Sequence, residues 1–221
     1  MNKEKDLGTS LIETLGKSEL GKIVPDYLDI GLDSQLAEGI FRELPIVRSM
    51  LAIYKTSLNI RDLILLKKII LFIKEVNNIN EKERQKFLNK MSENKNYQRR
   101  VGEQLLLYLD RLDEIEKAPL LAKIFGEYIE GTIDQQQMKR LASGLDRALL
   151  ADIIALKKFM IDKQPLAREN FYGLEGVGLA TTYHSITHPL EPEDVTGQID
   201  ELHFVISPTA VQLIKVCFDK T

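Results

Sequence analysis

Residues 97–112, YQRRVGEQLLLYLDRL, decide the class of fold. Val101, Leu105, Leu106, Tyr108, Leu109 and Leu112 recur at three- and four-residue steps, which places them on one face of an α-helix. A face that broad must be buried against other helices.

The same period and its punctuation extend in both directions, from about residue 10 to residue 163. Upstream, Asp26 opens a segment reaching Leu44, and Pro45 suits the first turn of the next, where its missing N–H would have no helical partner. Asn59 can cap a segment over Asp62 to Val76, and Asn80 with Glu83 resembles a capping box ahead of Lys82 to Met91. Downstream, Pro119 marks the first turn of a helix running to Glu130, and Gly131 supplies the left-handed residue that ends it. Thr132 or Asp134 can cap Gln135 to Leu149, and a last helix follows over Ala151 to Asp162. Short links between eight or so helices predict a bundle over residues 26–163, preceded by a partly ordered N-terminal segment at 1–25.

The character changes at Gln164-Pro165. Beyond it, alternation over Leu179 to Ile186 and Leu202 to Ile206 predicts two strands, joined by a polar loop from His188 to Gly197. Ser207-Pro208 is a helix start, a capping hydroxyl ahead of a proline, and Val211, Leu213, Ile214 and Val216 are expected in the core. Residues 164–221 thus read as a small α+β unit that resembles a degenerate winged helix. Gly178-Leu179 and Phe204-Val205-Ile206-Ser207 stand in that unit's recurring positions. The fold class is mainly α: a multi-helix bundle followed by this small unit.

Composition bounds the setting. With 44% hydrophobic and 29% charged residues over 221, the chain reads as an ordinary globular protein with a sizeable core. Its single cysteine, Cys217, sits in an apolar run, fits an inert core thiol, and implies no disulfide framework. MNKEKDLGTS has no apolar run behind it, so no signal peptide is expected. Arg61, Asp62, Lys67, Lys68 and Lys74 interrupt the greasiest region, short of the roughly 20 apolar residues that a spanning helix needs. A cytoplasmic location is expected.

No stretch offers clear chemistry. Residues 172–189, YGLEGVGLATTYHSITHP, space their glycines G-x-x-G-x-G, the reverse of the dinucleotide motif, and a strand follows where a phosphate site needs a helix. These glycines read as turns. His184, His188 and His203, with Glu191 or Asp194, could approach one another across a hairpin, but zinc needs three or four convergent ligands and a splayed wing is the simpler expectation. Asp110, Asp113, Glu114 and Glu116 read as a solvated helix junction. No catalytic residue, cofactor or metal is assigned.

Charge is distributed more tellingly. Between Lys55 and Arg100 there are 12 basic residues against 5 acidic, a net of +7. From Pro165 onward there are 3 basic against 8 acidic, a net of −5. An acidic winged-helix-like unit makes a poor DNA reader, because phosphate neutralisation supplies much of DNA affinity.

Four features carry a family likeness over roughly residues 35–160. Pro45-Ile46-Val47 enters a helix, and Lys67-Lys68 precedes an apolar one. Val101-Gly102-Glu103 precedes a leucine-rich helix ending Leu109-Asp110-Arg111, and Glu116-Lys117-Ala118 a helix closing on Tyr128-Ile129-Glu130-Gly131. In these features the chain resembles the Abi-alpha family, bacterial proteins associated with abortive phage infection. The resemblance implies a phage-defence component, and the family has no established catalytic residues to transfer.

The expectation is therefore a non-enzymatic binding protein whose candidate surface is Lys67, Lys68, Arg99 and Arg100. A protein partner or a homo-oligomer comes first, then nucleic acid or a membrane surface, with no small-molecule substrate identified. The alternatives are a DNA-binding regulator using the C-terminal unit and a membrane effector using amphipathic helices over 44–76.

Overall fold

The structure, a computed structural model, describes residues 6–17, 43–54, 59–184 and 202–218. Among them lie ten helices and one two-stranded antiparallel sheet near the C-terminus, so the chain is mainly α with a small β element. It divides into two compact units, Met1–Met138 and Lys139–Thr221. Up to residue 42, the segment expected from Asp26 to Leu44 lies outside the described residues.

The first unit holds α1 (Leu7–Leu15), α2 (Pro45–Tyr54), α3 (Ile60–Val76), α4 (Glu81–Ser92), α5 (Lys95–Arg111) and α6 (Lys117–Glu130). Asp6 caps α1, whose Leu11, Ile12 and Leu15 are buried. Pro45 opens α2 as expected, and the Thr14 hydroxyl of α1 accepts from the Ile46 amide at 3.1 Å, filling a donor that the helix start leaves open. Asn59 and Asp62 form a reciprocal capping box on α3. On α4 the cap is one-sided: Asn80 accepts from Lys82 and Glu83, while the Glu83 carboxylate pairs with Lys86 at 3.5 Å.

Helix α3 packs along α6, where the Phe72 and Phe125 rings meet at 5.8 Å; α3 buries Leu66, Ile69, Ile70, Phe72 and Ile73, and α6 buries Leu121, Ile124 and Phe125. Each such side chain contributes about 1.5–3 kcal/mol by leaving water. Helix α1 lies across α5, where Gly8 and Gly102 let the two backbones touch. A Cβ at Gly102 would stand 2.1 Å from the Gly8 carbonyl oxygen.

Helix α6 ends at Gly131 with φ +76°, the left-handed residue foreseen. The Thr132 hydroxyl turns back to the Glu127 carbonyl, so Asp134 alone caps α7 (Gln135–Arg147), in a reciprocal pair with Gln137 at 2.8 and 2.9 Å. The division between the two units falls within α7.

The second unit continues with α8 (Leu150–Met160), α9 (Arg168–Gly176), β1 (Ala180–His184), β2 (Leu202–Ile206) and α10 (Pro208–Phe218). The strands pair in the register Ala180↔Ile206, Thr182↔Phe204 and His184↔Leu202. Glu175 of α9 ties the hairpin down by accepting from the Thr182 amide at 2.8 Å and its hydroxyl at 2.7 Å. The Phe204 ring lies tilted against Phe171 at 5.0 Å and Phe159 at 6.1 Å. Ser207 caps α10 through the Ala210 amide. That helix buries Ala210, Leu213, Ile214, Val216 and Cys217, whereas Val211, expected in the core, is exposed. With Leu213, Ile214 and Cys217 facing inward, Val211 falls on the outer side of the turn.

Candidate interaction surface

The four candidate cations separate by helix phase. Arg99 and Arg100, near the start of α5, are both exposed, and Arg99 meets Glu103 one turn on at 3.8 Å. Lys67 is half-buried. Lys68 is buried, and its ammonium donates to the carbonyls of Asp110 (3.4 Å) and Leu112 at the C-terminus of α5. There it faces the negative end of the helix dipole. Burial pushes the Lys68 pKa below the ordinary lysine range, against the opposing pull of Asp110 and Asp113. Lys68 thus joins α3 to α5 and is no part of an outward surface, which corrects its place in the candidate set.

The rest of the basic region divides in the same way. Lys82, Lys86 and Lys90 on α4 and Lys95 on α5 are exposed, while Arg84 turns inward. Its Nη1 donates to the Val76 carbonyl (3.3 Å) and the Asn77 side chain (3.4 Å), its Nε has no partner, and burial lowers its pKa. Linear counting weighs all these cations alike. Their phase against Met91, which is buried on α4, is the signal that separates them.

Two members of the acidic run, Asp110 and Asp113, form ion pairs near the α5–α6 junction. Arg61 donates to Asp110 at 2.7 Å, and the fully buried Lys117 donates to Asp113. Burial pushes the Asp113 carboxyl up, but the bond and charge from Lys117 outweigh it and hold the group below the usual carboxylate range. Among the described residues no three His, Cys, Asp or Glu side chains gather where a metal could sit. The Tyr97 and Tyr128 hydroxyls bond to each other beside Phe87 and Phe125, and burial drives the Tyr128 pKa well above the phenol range, so it stays protonated.

Within residues 172–184 the glycines divide. Gly173 and Gly176 lie in α9, and only Gly178, at φ +77°, makes a turn into the strand. A Cβ at Gly173 would displace the side chain of Asp152, a buried carboxylate held by Asn170 at 2.9 Å. No phosphate loop is present in this stretch. The register sets Tyr183 opposite His203 and Leu202 opposite His184, while His188, Glu191 and Asp194 lie outside the described residues. Cys217 is buried, as its apolar run implied. An open recess of about 510 Å³ is lined by Phe159, Met160, Lys163, Gln164 and Pro165, with no acid–base pair among these side chains.

No family model, curated protein or solved structure matches the chain. Among the described residues, no helix is long and apolar enough to cross a membrane.

Proposed function

We propose that the chain is a binding protein of bacterial phage defence, the role its resemblance to Abi-alpha implies, and that exposed cations of its first unit make the contact. The observation that carries this reading is the pair Arg99 and Arg100, both exposed on a helix held against α1 through the Gly8–Gly102 crossing. A rigid helix presenting charge recognises a partner without paying much to order itself. The reading needs an anionic partner for these cations, and no step requires a catalytic group. The test is co-purification from phage-infected cells. Wild-type protein is expected to retain material that the R99E/R100E double variant releases, and identical retention by both would overturn the assignment.

A membrane-acting role is the second reading, favoured by Ile53, Ile60 and Ile64, which are exposed at the ends of α2 and α3. It is weakened by the burial of Leu66, Ile69, Ile70, Phe72 and Ile73, which would have to leave the core to enter a bilayer. Flotation with anionic liposomes distinguishes the two. The regulator reading stays last, because the C-terminal unit is acidic.

A further inference from the structure

We infer that the outer face of α4, continued by the first turns of α5, binds the phosphodiester backbone of a nucleic acid. This rests on the binding reading above and names the class of partner.

Lys82, Lys86 and Lys90 follow one another at intervals of four, so they stand on one side of α4, about 6 Å apart along its axis. All three are exposed. Helix α5 begins after only Glu93 and Asn94, with Asn94 fixing its start by accepting from the Tyr97 amide at 3.0 Å. Lys95, Arg99 and Arg100 then add three more exposed cations, and the exposed amides of Asn89 and Asn96 add neutral donors. Of the nearby carboxylates, Glu83 is engaged by Lys86 and Glu103 by Arg99. Glu81 and Glu93 remain exposed against six cations.

Two physical arguments select nucleic acid among anionic partners. Adsorption to a lipid surface through a helix needs apolar side chains that enter the headgroup layer. None of the exposed large hydrophobic residues lies between Glu81 and Arg100. A protein interface concentrates aromatic and apolar side chains at its centre and is depleted in lysine. This face is mostly lysine, arginine and asparagine, with Glu81 and Glu93 the exposed carboxylates among them. A row of cations with amide donors matches a polymer of regularly repeated phosphates, whose binding is driven by counterion release.

The test is fluorescence anisotropy of the full chain with labelled single-stranded and duplex oligonucleotides over a salt series. With about five cations engaged, the logarithm of affinity for single strands should fall with the logarithm of salt at a slope of about −3.5. The triple variant K82Q/K86Q/K90Q should reduce the magnitude of that slope by about 2 and weaken binding by more than about tenfold. These side chains are exposed, so an unchanged melting temperature will verify the fold. The control K139Q/R140Q, which removes exposed cations elsewhere, should bind as wild type does. Failure of the wild-type chain to bind at low salt would overturn the inference, as would equal binding by the triple variant or an equal loss in the control. Preference for phosphatidylserine vesicles over oligonucleotides would also overturn it. These readings are taken on purified protein, so they are decided apart from the co-purification that tests the broader role.

Discussion

Gly102 and Gly176 occupy similar helical backbone but obey opposite constraints. At Gly102 any side chain meets the Gly8 backbone, so Gly102→Ala should destabilise the protein by about 2–3 kcal/mol in urea denaturation, as overpacking does. At Gly176 a Cβ meets nothing within 4 Å, and Gly176→Ala should be neutral or stabilise by about 0.5 kcal/mol in the same assay. Equal effects at both positions would contradict the close crossing of α1 and α5. The linear pattern around Val101-Gly102-Glu103 does not reveal this, because the constraint comes from another helix. Lys68 was legible in principle, since it stands one turn before the buried Phe72 on α3. Its partner carbonyls at the end of α5 were not. Asp113 has its pKa lowered in the fold, so its contribution is fully present above about pH 3.9 and is lost as pH falls through its lower folded value. Asp113→Asn should therefore flatten the acid limb of the melting-temperature profile below about pH 4. At neutral pH it should lower stability by about 1 kcal/mol, the half-exposed carboxylate being partly screened.

Elements were read most reliably where a local rule ends them. Asn59, Gly131 and Ser207 each terminate or begin a helix by a mechanism confined to a few neighbouring residues, and each does so at the expected position. The choice between Thr132 and Asp134 depended on which oxygen reached which amide, and α6 claims Thr132. Asp134→Ala should lower stability by about 1 kcal/mol, measured by urea denaturation, through loss of the cap on α7. The stretch before β1 was misread for a related reason. Three glycines suggested successive turns, yet Gly173 and Gly176 lie inside α9, and at 173 the missing side chain leaves room for the Asp152 carboxylate. In α10, Val211 leaves its expected place in the core, since an apolar residue at a helix start can face either way until the inner face is fixed by Leu213, Ile214 and Cys217.

At the scale of the molecule, the mainly α architecture with its small C-terminal hairpin followed from hydrophobic period, first 3.6 and then 2, together with the caps and prolines that punctuate it. The candidate surface followed only in part. Net charge located the basic region between Lys55 and Arg100, but burial decides which cations meet solvent, and it removes Lys68 and Arg84 while leaving a line of lysines on α4. Contact through these outward cations is the central claim, and phage plating on cells carrying the gene tests it most directly. Wild-type protein should lower plaque counts. A variant with Lys82, Lys86, Lys90, Arg99 and Arg100 all changed to glutamine, at equal abundance and melting temperature, should restore them. Full protection by that variant would contradict the account.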